Sequence, residues 1–141
     1  MPRKRHLIHT SYTAAMLAAY IKWIMLVSGA MTCTMVYAAI APQAMLQATF
    51  GETVEGPLAE LVVRNWGVLI FLVGAMLIYG AFNTAARPLV LTVAAVSKVT
   101  FIALVLSNGD RYLRGQAGMS ILVDGVMVLL FVIYLFTAGE R

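Results

Sequence analysis

One cysteine, Cys33, stands among the 141 residues. An internal disulfide is therefore impossible, and a cysteine-based metal site lacks its ligands. Charge is nearly as scarce: Lys, Arg, Asp and Glu make up 11% of the chain, where a soluble domain carries about 25%. There is no phosphate-binding glycine loop, no serine-nucleophile elbow and no haem motif. The net charge of +4 comes from scattered basic residues and one cluster, Arg3, Lys4 and Arg5. That distribution is not a nucleic-acid footprint, and no nucleic acid is expected as a partner.

What the chain has instead is apolar length. Hydrophobic residues make up 62% of it, and its mean hydropathy is +0.89. Nothing suggests a separate water-soluble domain, so residues 1–141 read as a single membrane domain. The class expected is all-α, an integral membrane four-transmembrane-helix bundle. Residues 1–22 form a basic tail and an interfacial helix, or the foot of the first span, with Tyr20 and Trp23 at headgroup level. The spans are expected over 23–41, 62–82, 89–107 and 119–138, with a long outer loop over 42–61. Pro57 suits the first turn of the second helix, and Gly67, Gly74 and Ala81 form a smooth seven-residue seam on it. The basic start followed by Ala39-Ile40-Ala41 resembles a signal peptide, but the apolar segment is too long and Lys22 interrupts it.

Loop charges orient the bundle. Arg3, Lys4, Arg5, Lys22, Arg87 and Arg141 fall on one side. Arg64, Arg111 and Arg114 fall on the other, diluted by Glu52, Glu55, Glu60 and Asp110. The positive-inside rule then places both termini in the cytoplasm of a multi-pass protein of the cell (inner) membrane.

The third span carries Lys98 at its middle, about 14 Å from either end. An ammonium at that depth needs a partner or a water-lined cavity inside the protein. Asp124 in the fourth span is expected about 8 Å below the outer surface, offset from Lys98 by roughly 6 Å. An ion pair between them would neutralise both. Arg64 and Asn65, at the start of the second span, could add hydrogen bonds, although Glu60 stands one turn before Arg64 in the favourable order for an ion pair. These four residues are the candidate ligand-binding set, and the alternative is that Lys98 and Asp124 only fix helix register. Asp124 has no second intramembrane carboxylate or histidine beside it, so no catalytic residues are assigned and an enzyme is not the favoured reading. Met31 and Met35 flank Cys33 at the spacing of a soft-metal relay, but nine methionines in such a chain read first as packing material. His6 and His9 lie in the basic tail and read as headgroup contacts. No cofactor is indicated.

Pro42 and Phe50-Gly51 in the first outer loop, Arg64-x-x-Gly67 opening the second span, and Arg87-Pro88 before the third make up a short pattern. Over roughly residues 20–138 it resembles the DoxX-like, DUF4345-type small membrane proteins with an EXPERA-like fold. The resemblance implies a four-helix shell around an apolar pocket. The chain departs from the EXPERA isomerases in lacking a pair of acidic residues in its spans, so their catalysis is not carried over. The expected role is to bind a small amphipathic or lipid-like molecule in the outer half of the bundle. Two competing roles are a structural subunit of a larger membrane complex, its Gly67/Gly74 seam turned to a protein partner, and a proton- or ion-coupled carrier working as a homo-oligomer.

Overall fold

The computed structural model describes the backbone of residues 3–139 and the side chains of residue 12 and residues 15–138. The side chains of Arg3, Lys4, Arg5, His6 and His9, and the whole of Arg141, lie outside the described residues. No proline occurs between Pro2 and Pro42, and one uninterrupted helix, α1, runs over Arg3–Cys33. The stretch expected as an interfacial helix or the foot of the first span is continuous with α1. Thr34 breaks the helix: its hydroxyl donates to the Met31 carbonyl at 2.6 Å, competing with the backbone ladder. The amides of Thr34 and Met35 tighten to i−3 carbonyls at 3.2 Å, and α2 continues over Val36–Ile40.

The expected loop over 42–61 holds a helix of its own, α3 (Pro42–Phe50). Pro42 opens it, where a missing N–H costs nothing. Gly51 closes it in the left-handed region, φ 73°, donating to the Gln47 carbonyl. Pro57 then opens α4 (Pro57–Phe82). The turn after α4 is held by side chains: Asn83 Oδ1 accepts from the amides of Ala85 and Ala86. Arg87, itself buried, donates to the final α4 carbonyls of Gly80 and Ala81 at 3.2 and 3.0 Å. From there α5 runs over Arg87–Leu106, a short 3₁₀ turn covers Gly109–Tyr112, and α6 covers Gln116–Gly139.

Among the described residues the fold is all-helical, and four helices are long and apolar enough to cross a membrane: Ala15–Ile40, Pro57–Phe82, Arg87–Leu106 and Gln116–Ala138. They alternate in direction, so the described ends of the chain lie at the end where α4 turns into α5. α1 packs most closely on α4, and α5 on α6; α1 and α6 touch only lightly. The glycine seam explains the first pair. A Cβ on Gly74 would stand 2.7 Å from the Cys33 amide nitrogen and 2.8 Å from the Gly29 carbonyl oxygen. One on Gly67 would stand 2.8 Å from the Ala38 Cβ. The seam is filled by α1 and α2.

The bundle is packed at one end and hollow at the other. Ile21 and Met25 of α1, Leu77 and Ala81 of α4, Val90, Leu91, Ala94 and Ala95 of α5 and Phe131 of α6 form the apolar core at the α4–α5 turn end. The α3 end contains a cavity.

Candidate functional site

The cavity has a volume of about 390 Å³ and is walled by all four long helices and α3. That volume is within the range of sites for small molecules. Its walls are mostly apolar: Met31 and Met35 near the α1 break, Met45 of α3, Trp66, Ile70 and Val73 of α4, Phe101 of α5, and Met119 and Met127 of α6. Phe50 of α3 joins the roof. Its ring lies 6.5 Å from those of Trp66 and Phe101 and 5.4 Å from that of Tyr112, in tilted and edge-on geometries. The chain segments around this roof are tied together at the surface. Arg111 Nη2 meets Glu52 Oε1 at 2.6 Å, and the Gln43 amide exchanges two hydrogen bonds with the Val54 backbone. Glu52 holds the Arg111 guanidinium above its usual pKa, chiefly through their hydrogen bond.

Lys98 and Asp124 meet in the wall, Nζ to Oδ1 2.5 Å. Lys98 also donates to Thr32 Oγ1 at 3.4 Å. The close fit in depth has a simple origin. Lys98 lies eight residues before the end of α5, and Asp124 lies eight residues into α6, so each is about 12 Å from its helix end. α6 begins three residues earlier than the sequence suggested, which removes the expected offset and places Asp124 deeper. Lys98 is 8% exposed, and its partner borders the cavity.

Two other expected members of the set are elsewhere. Arg64 chelates Glu60 Oε1 through Nε and Nη2, at 3.2 and 2.6 Å, and its Nη1 donates to the carbonyls of Ala39 and Ile40. It thereby satisfies the C-terminal carbonyls of α2. Asn65 is exposed and, like Arg64, does not line the cavity. A helix turns 100° per residue, so neighbours of Trp66 in sequence face away from it. The soft-metal trio is also divided. Met31 and Met35 line the cavity, whereas Cys33 Sγ donates weakly to the Phe71 carbonyl at 3.8 Å, in the α1–α4 contact. Among the described residues no group of three His, Cys, Asp or Glu side chains could hold a metal ion.

Reasoning from sequence missed the hydroxyls. Ser28, Thr32, Thr49, Ser97 and Ser120 all line the cavity. Ser28 and Thr49 are 2% and 6% exposed, and among the described residues their oxygens have no hydrogen-bond partner. The signal available was Ser28 and Thr32, one turn apart in an apolar helix and so on one face. With one ion pair, several hydroxyls and flexible apolar walls, the arrangement can hold a molecule with a polar head and an apolar body. No protein-family model, curated protein or solved structure matches this chain.

Proposed function

We propose that this chain is a multi-pass membrane protein that holds one small amphipathic molecule in the cavity beside α3, without transforming it chemically. The observation that carries the reading is the division of the bundle into a packed half and a hollow half. Core side chains plug the α4–α5 turn end, so the cavity is a cup lying toward α3 beneath the aromatic roof, and its polar lining centres on Lys98 and Asp124. Membrane insertion is supported by the apolar outer faces: Tyr79, Phe82, Leu104, Leu122, Leu129 and Phe136 are all more than half exposed, as lipid-facing side chains are. The DoxX-like resemblance is carried only as far as a four-helix shell around a pocket. The structural-subunit reading loses its docking seam to α1, and the carrier reading lacks a route through the packed half.

Native mass spectrometry of the protein, released from nanodiscs formed directly from its own membrane, tests the proposal. One bound small molecule per chain is expected. The cavity-filling variant Ser28→Leu should lose that molecule while keeping its thermal transition. A parent protein that is always ligand-free would overturn the reading.

A further inference from the structure

We propose that the cup selects an uncharged, hydroxyl-headed amphiphile such as a medium-chain alcohol, its hydroxyl set between Lys98 and Asp124; this rests on the reading of the cavity as an amphiphile site. Charge is the first reason. Lys98 and Asp124 cancel, and among the described residues no other charged side chain lines the cavity. A carboxylate or phosphate head would add an unmatched negative charge in a low-dielectric site, and an ammonium head an unmatched positive one.

Hydrogen-bonding capacity is the second reason. An ammonium has three N–H donors, and Lys98 directs two of them to Asp124 Oδ1 and Thr32 Oγ1. Among the described residues Asp124 Oδ2 receives no donor. A hydroxyl is a small neutral group that accepts from the spare N–H and donates to the spare carboxylate oxygen at once. Ser28 and Thr49 also line the cavity, though their oxygens, without a hydrogen-bond partner among the described residues, are turned away from its open space.

Size and wall chemistry set the body of the ligand. The 390 Å³ cavity corresponds to about 13 groups of water size at roughly 30 Å³ each. A ten-carbon alcohol fits within it, and methionine walls adapt to a flexible chain.

The probe series is 1-decanol, decanoate and decylammonium. Each is titrated at pH about 8, between the carboxylate and ammonium ranges, into the Trp23→Phe protein in phosphatidylcholine nanodiscs. That substitution leaves Trp66, in the cavity wall, as the one tryptophan fluorophore. Decanol should give a saturating Trp66 response at a concentration at least ten-fold lower than either charged analogue. In an Asp124→Asn background Lys98 loses its counter-charge, and preference should shift at least ten-fold toward decanoate. A parent protein that binds a charged analogue as well as decanol overturns the selectivity while leaving the amphiphile cup standing. An Asp124→Asn protein that folds with its preference unchanged overturns the selectivity in the same way. No saturable response to any of the three overturns the cup itself. If Asp124→Asn fails to fold, the parent series alone decides.

Discussion

Lys98 and Asp124 are coupled by a 2.5 Å contact across α5 and α6, and removing either one strands the other in low dielectric. Loss of one partner of a buried pair costs about 3–5 kcal/mol. Because Asp124 borders a cavity large enough for water, the lower end of that range is expected for Lys98→Met or Asp124→Leu alone. The double variant should recover most of the loss, since apolar replacements of similar volume pack well. Thermal and denaturant unfolding of the four proteins in a double-mutant cycle measures the coupling. Single variants as stable as the parent would mean that the two side chains do not meet. At this scale the pair was legible, because a lysine in mid-span demands a partner and Asp124 is the only acid in the expected spans. The Glu60–Arg64 ion pair was readable from its i, i+4 spacing; the open carbonyls of Ala39 and Ile40, which also take the Arg64 guanidinium, were not.

Gly74 of α4 and Gly125 of α6 have opposite roles. Gly74 is pressed against the backbone of α1, with Cys33 and Gly29 atoms less than 3 Å from where a Cβ would stand. Gly74→Ala therefore forces the helices apart, and overpacking of this kind costs about 1–3 kcal/mol. Gly125 of α6 has nothing within 4 Å of that position. Gly125→Ala should leave stability unchanged or raise it by up to about 1 kcal/mol through helix propensity. Melting followed by circular dichroism compares the two, and equal effects would remove the seam from the α1–α4 contact. The seven-residue recurrence of Gly67 and Gly74 was readable in advance. Its direction was not, because a smooth stripe fits a helix of the same chain or of another equally well. α3 was hidden too: Pro42 and Gly51 sit where a start and a stop are expected, but the nine residues Pro42–Phe50 do not form a helix without tertiary support.

For the whole molecule, the orientation is open to a direct test. In a Cys33→Ala background, cysteines placed at positions 54 and 110 lie at the α3 end, away from the α4–α5 turn. From the positive-inside bias that end is expected outside the cell. A membrane-impermeant maleimide applied to intact cells should label both. Labelling of either one only from the cytoplasmic face would invert the orientation.

Composition and hydropathy by themselves determined the all-helical class and four apolar segments of spanning length, because helix formation in such segments depends on local apolarity and proline placement. They also singled out Lys98 and Asp124, since charge in an apolar run is visible residue by residue. Only the tertiary structure decided that the bundle is packed at one end and hollow at the other, that α1 fills the glycine seam, and that Ser28 and Thr49 line a common cavity. These depend on how the four helices rotate and cross. A hydroxyl or a methionine has the same local character on any face of its helix, and packing against the other helices selects which face it takes.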